Sequence, residues 1–147
     1  MEYASKDIRN ILVAGHASCG KTTLIEALLY ASGATERMGR VEDGTTASDF
    51  DPEEVRRKAS LNSSVVPVEY QGTKYNLIDA PGLFDFETGA CEGVMAAESV
   101  LICVSGRSGV TVGAEKAYRL AAKNNRARMV FVTKMDLENA DYFKILE

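Results

Sequence analysis

The chain has 147 residues, of which 46% are hydrophobic and 26% are charged, and its formal net charge is −4. That length supports one domain with its own core. The acidic balance argues against a broad nucleic-acid-binding surface, so we expect no DNA partner. No apolar stretch approaches the roughly 20 residues that span a bilayer, and we expect no membrane association. The three scattered cysteines fit neither a disulfide framework nor a zinc site, which favours a reducing, cytoplasmic setting.

The first part of the chain predicts a strand, a helix and a long loop. Residues 8–14 form a short apolar run that is typical of a buried strand. Residues 22–31 predict a helix, which Gly33 can end in the left-handed conformation. Residues 34–64 are polar and show little periodicity, so we expect a loop that is either functional or disordered.

Strand and helix patterns alternate along the rest of the chain. Residues 65–70 and 74–79 predict two strands joined at Gln71-Gly72, which indicates a hairpin. The other predicted elements are a helix at 87–97, a strand at 100–105, a helix at 114–123, a buried strand at 129–133 and a helix from 139. The alternation predicts a single α/β domain, with a mostly parallel sheet, one antiparallel edge strand and helices on both faces.

The loop after the first predicted strand carries a phosphate-binding pattern. Gly15-x-x-x-x-Gly20-Lys21-Thr22 matches the phosphate loop of nucleotide-binding proteins in full. Its glycines let backbone N–H groups surround an anion at the positive end of the following helix. Lys21 would reach the outer phosphates, and the Thr22 hydroxyl would bind Mg²⁺. The residues predicted to contact a nucleotide here are Gly15, His16, Ala17, Ser18, Cys19, Gly20, Lys21, Thr22 and Thr23.

A second candidate loop, Asp79-Ala80-Pro81-Gly82, ends the strand-like run YNLI. Because ligands bind beyond the carboxyl ends of parallel strands, we expect this loop beside the phosphate loop. The Asp79 carboxylate can hold Mg²⁺ through a water molecule, and the Gly82 N–H can bind a terminal phosphate. The same four residues also form a common turn. Their position after a phosphate loop is what favours the nucleotide interpretation.

A third candidate loop, Thr133-Lys134-Met135-Asp136, follows the last predicted strand. It resembles the Asn-Lys-x-Asp motif with which GTP-binding proteins recognise the base. An aspartate in the last position accepts hydrogen bonds from the guanine N1–H and 2-amino groups, and adenine offers neither donor. Lys134 would lay its aliphatic stem over the base. The loop therefore favours GTP over ATP.

These stretches together resemble the amino-terminal GTPase domain of translation elongation factor G and its relatives, release factor three and the ribosomal protection proteins. The resemblance rests on IRNILVAGHASCGKTTLIEALLY, EDGTTASDFDPEE, YNLIDAPGLFDF, VLICVSGRSGV and TKMDLENAD, in the family's order from Ile8 onward. It implies a P-loop NTPase fold of the Ras-like kind, GTP and GDP as ligands, Mg²⁺ as cofactor, and GTP hydrolysis by direct attack of water. It also implies a switch that the ribosome reads, through its RNA and proteins, in the intact protein.

The resemblance also assigns catalytic roles. Lys21 and Gly82 correspond to residues that act on the transferred phosphate. Ser60 aligns without gaps with the family's threonine, whose hydroxyl binds Mg²⁺. The implied metal site therefore consists of Thr22, Ser60 and, through water, Asp79.

Three positions depart from the family pattern. Leu83 stands where the family has a histidine that orients the attacking water, and because leucine cannot form hydrogen bonds we expect slow hydrolysis. Ser18 replaces an aspartate of the phosphate loop, which removes a negative charge near the β-phosphate. Thr133 replaces the asparagine that braces the base loop, and its hydroxyl can form part of those hydrogen bonds.

The family's last guanine-binding motif, Ser-Ala-x, has no counterpart, because the chain contains no Ser-Ala pair. In the family this motif and the last sheet strand lie further along the sequence. We therefore expect an amino-terminal fragment of a longer protein. Such a fragment has an incomplete base pocket and an open sheet edge, through which it could self-associate.

Two other functions remain open from the sequence. One is a GTP-binding regulatory module with little or no hydrolysis, for which Leu83 is the motive. The other is a P-loop kinase for a small molecule, which predicts ATP preference and a second substrate pocket. Asp136 argues against the kinase.

Overall fold

The computed structural model describes residues 3–49, 51–82 and 87–146. After a 3₁₀ turn at Ser5–Asp7, strands and helices alternate. The strands are β1 (Ile8–Gly15), β2 (Ser64–Tyr70), β3 (Thr73–Asp79), β4 (Ser99–Ser105) and β5 (Ala127–Thr133). The helices are α1 (Lys21–Ala31), α2 (Pro52–Arg57), α3 (Glu87–Ala96), α4 (Val112–Lys123) and α5 (Tyr142–Leu146).

The five strands form one sheet in the order β2–β3–β1–β4–β5. β1 pairs in parallel with both β3 and β4, and β4 pairs in parallel with β5. β2 runs antiparallel to β3. The predicted α/β fold is therefore confirmed, including its antiparallel edge strand. The carboxyl ends of the four parallel strands lie on the same side of the sheet, where ligands of such folds bind.

Two turns that the sequence predicted have the required backbone geometry. Gln71 and Gly72, between β2 and β3, both have positive φ, at 47° and 78°. Positive φ at both positions is typical of the two-residue turns that suit the twist of a hairpin. Helix α1 is followed by Gly33, with φ of 76°, as expected for a left-handed helix end.

The segment predicted as one loop, 34–64, contains the short helix α2. Asp51 and Glu54 form a reciprocal capping box at its start. The buried Glu54 carboxylate also accepts hydrogen bonds from the N–H groups of Leu61 and Asn62, at 2.9 and 3.0 Å. One carboxylate thus fixes both the start of the helix and the chain that follows it.

The strand β5 differs from its prediction in burial. Met129, Val130 and Phe131 were expected inside the protein, yet they are 60%, 51% and 41% exposed. Among the described residues β5 pairs only with β4, so it is an edge strand. The expected open edge is thus present in this part of the chain, while self-association through it stays a prediction. The last helix also starts later than expected, at Tyr142.

The core lies on both faces of the sheet. One face packs against α3 and α4 and includes Leu12, Ala14, Ile78, Val100 and Ile102. The other face includes Val13, Leu77 and Cys103 and packs against Ile25 and Leu29 of α1. Successive residues of β1 alternate between the two faces, as the pleat of a strand requires. None of the described helices is long and apolar enough to cross a membrane.

Candidate nucleotide-binding site

The loops after β1, β3 and β5 meet at one side of the sheet, around a cavity of about 440 Å³. The predicted residues that line this cavity are Ala17, Ser18, Gly20, Lys21, Thr22, Thr23, Ser60, Gly82 and Lys134. Gly15 and His16 instead line a neighbouring cavity of about 350 Å³. Cys19 and Asp79 are buried.

The phosphate loop ends where α1 begins. Gly20 has φ of 96°, a conformation that glycine adopts without strain, and Lys21 is the first residue of the helix. The N–H groups in the first turn of a helix have no intrahelical partners and favour an anion. Lys21 is only 6% exposed, and its Nζ donates a hydrogen bond to the His16 carbonyl at 3.1 Å. A buried ammonium group needs a compensating anion, which a phosphate would supply.

A cluster of oxygen atoms lies beneath Lys21. The Thr22 hydroxyl donates to Asp79 Oδ2 at 2.8 Å and lies 3.4 Å from the Ser60 hydroxyl. Ser48 also donates to Asp79 Oδ2, at 3.0 Å. The other carboxylate oxygen of Asp79 is buried and has no partner among the described residues. Hard oxygen donors with an unused acceptor fit Mg²⁺, so Thr22, Ser60 and Asp79 could hold it.

The protein oxygens alone make an incomplete metal site. Among the described residues, no group of three or more His, Cys, Asp or Glu side chains could hold a metal ion. Mg²⁺ usually keeps several waters and binds phosphates together with only one or two protein ligands. The cluster therefore fits a metal that arrives with a nucleotide.

Gly82 lies against the phosphate loop. A Cβ atom at this position would lie 2.7 Å from Ala17 N and 2.8 Å from Ala17 Cα, and it would also contact Lys21 Nζ. Only glycine therefore allows this close approach. It is the position from which the Gly82 N–H could reach a phosphate bound at Lys21. Leu83, the expected departure at the water-orienting position, lies outside the described residues.

The base loop (residues 133–136, at the end of β5) is hydrogen-bonded to the phosphate loop (residues 15–22). The Thr133 hydroxyl donates to the Cys19 carbonyl at 2.5 Å, and Lys134 Nζ donates to the Ser18 carbonyl at 2.6 Å. Thr133, which stands where the family has an asparagine, therefore forms a hydrogen bond between the two loops, as expected. Asp136 is exposed and does not line the cavity. It lies two residues after Lys134, on the loop that these bonds hold in place.

Sequence reasoning did not single out three buried polar residues around the site. Ser48 and Asp49 are 1% and 5% exposed, and Asp49 accepts a 2.7 Å hydrogen bond from Ser60. The Glu26 carboxylate, 2% exposed, accepts from the N–H groups of Gly39 at 3.0 Å and Ala47 at 2.6 Å. These contacts fold the segment 34–49 onto α1. The only sequence signal for these contacts is the polarity of the segment, since the bonded residues are distant from one another in sequence.

Asp79 gives the site a predicted pH dependence. Burial raises its pKa to about 6, and the hydrogen bond from Thr22, the charge of Lys21 and the hydrogen bond from Ser48 offset only part of that effect. The folded chain therefore binds this proton more tightly than the unfolded chain, so stability falls as pH rises through this range. The quantity to compare is the free energy of unfolding of the wild type minus that of Asp79→Asn, measured without nucleotide. This difference should be about 1 kcal/mol smaller at pH 7 than at pH 5. Denaturant titrations at both pH values measure it, and an unchanged difference would contradict the expectation.

Comparison with known proteins identifies the family. Residues 6–147 match the family described as "Elongation factor Tu GTP binding domain". An elongation factor G-like protein of Mycobacterium tuberculosis strain H37Rv is 37% identical over 139 residues, which is 95% of this chain and 20% of that protein. Elongation factor G of Granulibacter bethesdensis is 32% identical over 140 residues, or 95% of this chain and 20% of that protein. The mitochondrial ribosome-releasing factor 2 of Drosophila willistoni is 35% identical over 143 residues, or 97% of this chain and 19% of that protein.

Solved structures agree with this relationship. A crystal structure of a Thermus thermophilus protein matches with a TM-score of 0.90 and 44% identity, over 95% of this chain and 21% of that chain. A bacterial selenocysteine-specific elongation factor EF-Sec matches with a TM-score of 0.72 and 26% identity, over 92% of this chain and 20% of that chain. The chain spans about a fifth of the length of these proteins. The chain thus belongs to the elongation factor Tu GTP-binding domain family and has the G-domain fold of an elongation factor G-like translational GTPase.

Proposed function

We propose that the chain is the GTP-binding and GTP-hydrolysing switch domain of an elongation factor G-like protein, which acts in translation on the ribosome in the cytoplasm. One observation carries the proposal: the phosphate loop is bonded at once to a hydroxyl–carboxylate cluster and to the base loop. Thr22 bonds to Asp79 on one side. Cys19 and Ser18 accept bonds from Thr133 and Lys134 on the other. A guanine nucleotide with Mg²⁺ would contact all three parts.

The chain's own residues would act by position and charge. Lys21 would neutralise the outer phosphates, and the Gly82 N–H would bind the terminal phosphate as negative charge develops there. Mg²⁺, when bound, supplies further positive charge at the phosphate oxygens. Thr22, Ser60 and Asp79 would hold it. Water is the attacking group: its oxygen bonds to the terminal phosphorus as the bond to the bridging oxygen of GDP breaks, and its proton goes to a phosphate oxygen or to solvent, since none of these residues accepts it.

The segment before β2 would respond to the terminal phosphate. Ser48 and Ser60 bring this segment to Asp79 and Thr22 through single hydrogen bonds. After hydrolysis removes the terminal phosphate, only these two hydrogen bonds would join the segment to Asp79 and Thr22, while Glu26 would still hold residues 39 and 47 on α1. That change is what a ribosome could read in an intact protein, and the relatives named elongation factor G and ribosome-releasing factor 2 support this interpretation.

Nucleotide competition tests the binding part of the proposal. Labelled GDP bound to the purified chain with Mg²⁺ is expected to be displaced by unlabelled GTP, while ATP requires at least about a 100-fold higher concentration. The physical reason is that adenine lacks both hydrogen-bond donors that Asp136 would accept. Equal displacement by ATP would contradict the proposal and favour the small-molecule kinase.

A GTP-binding regulatory module with little hydrolysis is the second candidate, because leucine occupies position 83. In single-turnover assays we expect slow GTP hydrolysis by the wild type and at least about a tenfold faster rate in Leu83→His, since the imidazole can orient the attacking water. Leu83→Met is the control, because it keeps an apolar side chain of similar size. If wild type and Leu83→His are equally fast, position 83 does not limit hydrolysis. If neither hydrolyses GTP that it binds, the chain is the regulatory module.

A further inference from the structure

Two buried cysteines lie directly beneath the phosphate loop. Cys19 belongs to the loop and is 5% exposed, and Cys103 belongs to β4 and is 0% exposed. Both side chains are in the core between the sheet and α1. Both are free thiols. Cys91, on α3, is also a free thiol, but it is exposed.

Gly15 brings the two cysteines together. It pairs with Cys103 in the parallel ladder between β1 and β4. A Cβ atom on Gly15 would lie 2.9 Å from Cys19 Sγ and 2.5 Å from the Cys103 carbonyl oxygen. The Cys19 sulfur and the Cys103 backbone therefore press against the same side of Gly15, in space that a side chain would fill. Paired residues of neighbouring strands project to the same face of a sheet, so the Cys103 side chain lies on the face where Cys19 Sγ packs against Gly15, and both thiols belong to one buried cluster.

The pair has one reactive and one resolving partner. The hydrogen bond from Cys103, together with the charge of Lys21, lowers the pKa of Cys19. The same interaction with Cys19, followed by burial, raises the pKa of Cys103. The thiolate is the nucleophilic form of cysteine, and a neighbouring thiol lets an oxidised sulfur resolve to a disulfide. Cys19 lies in the loop and is 5% exposed, whereas Cys103 lies in β4 and is 0% exposed, so peroxide reaches Cys19 first and Cys103 reacts second.

We propose that Cys19 and Cys103 form a peroxide-oxidisable pair whose disulfide reversibly disables the phosphate loop. The Cys19 thiolate attacks hydrogen peroxide and breaks the O–O bond, which gives a sulfenic acid and, with one proton, a water molecule. The Cys103 sulfur then attacks the Cys19 sulfur, and its proton leaves with the sulfenic hydroxyl as a second water. Two thiols lose two electrons and two protons, and the peroxide is reduced to two waters.

The effect on the loop follows from its connections. A disulfide brings the two sulfurs to about 2.05 Å, closer than two thiols in contact. Cys19 would therefore move toward β4, and it is joined to Gly20 and Lys21 on one side and to Thr133 through its carbonyl on the other. Both the phosphate-binding N–H groups and the base loop would shift. This consequence rests on the proposed function, while formation of the disulfide does not.

The test uses the reduced, purified chain and dilute hydrogen peroxide. Mass spectrometry of the Cys91→Ser variant should show the loss of two hydrogen atoms and, after proteolysis, a peptide pair linked through Cys19 and Cys103. GDP affinity should fall at least about tenfold and return with dithiothreitol. Bound GDP should slow the oxidation, because Cys19 belongs to the loop that the phosphates would cover. Cys103→Ala should form no such link, and after the same brief treatment it should lose less GDP affinity than the variant that forms the disulfide.

Two results would overturn the proposal. One is the absence of a Cys19–Cys103 link under peroxide doses that fully oxidise the exposed Cys91 of the wild type. The other is a Cys19–Cys103 disulfide that forms without changing GDP affinity, because the disulfide would then not disable the phosphate loop. The mass measurement needs no nucleotide, so a chain that failed to bind GDP would refute the proposed function and still decide whether the disulfide forms.

Discussion

Replacing Asp136 with asparagine is expected to weaken GDP binding at least about 100-fold. The carboxylate would accept two hydrogen bonds from guanine, and a hydrogen bond to a charged group contributes about 1.5–3 kcal/mol. The amide of asparagine accepts at one atom and donates at the other, so it faces one guanine donor with a donor of its own. Xanthine carries an oxygen where guanine has its amino group. Xanthosine diphosphate should therefore displace labelled GDP from the variant more readily than from the wild type.

Glu138→Gln is the matched control for this prediction. Glu138 lies two residues further along the same exposed loop, and its substitution removes the same charge. GDP affinity of Glu138→Gln should stay within about twofold of the wild type, because exposed charges away from a ligand contribute little. A similar loss in both variants would mean that the loop's net charge, rather than recognition of the base, is what matters.

The sequence predicts those features that are determined by residues adjacent in the chain. The turn at Gln71-Gly72 requires only two residues that tolerate positive φ, and the hairpin follows from it. The alternation of apolar strands with helices predicts the parallel sheet in the same way. The phosphate loop is also local, since its glycines, its lysine and the start of α1 are contiguous in sequence.

The features that could not be predicted depend on distant partners. Ser48 bonds to Asp79 across 31 residues of sequence, so its place in the oxygen cluster of Thr22, Ser60 and Asp79 has no local pattern. The apolar residues of β5 look the same whether a neighbouring strand covers them or not, and so their exposure was missed. The helix α2 was missed for another reason. Its capping residues Asp51 and Glu54 are a local signal, but its six residues are too few for hydrophobic periodicity to identify a helix.

Glu26 is a buried charged residue whose loss should destabilise the segment 34–49. Its carboxylate accepts from Gly39 N and Ala47 N, which are 13 and 21 residues away, and so holds the segment that brings Ser48 to Asp79. Glu26→Ala leaves the buried Gly39 N–H and the partly buried Ala47 N–H without their acceptor, and we expect a loss of about 2 kcal/mol in the free energy of unfolding. Glu26→Gln keeps one acceptor oxygen and should lose about half as much.

Amide hydrogen exchange shows whether the stability lost in Glu26→Ala is lost only in the segment 34–49 or throughout the domain. If Glu26 mainly anchors the segment, amide hydrogen exchange at Gly39 and Ala47 should accelerate by at least about 100-fold in Glu26→Ala, while the amides of β1 keep most of their protection. Mg²⁺-dependent GTP binding should weaken more than GDP binding, because the segment contacts the cluster proposed to hold the metal beside the terminal phosphate. Glu36→Ala, an exposed change in the same part of the chain, should alter neither measurement. Equal acceleration throughout β1 and the segment would show instead that Glu26 supports the whole domain, and the proposed link between this anchor and the terminal phosphate would then be wrong.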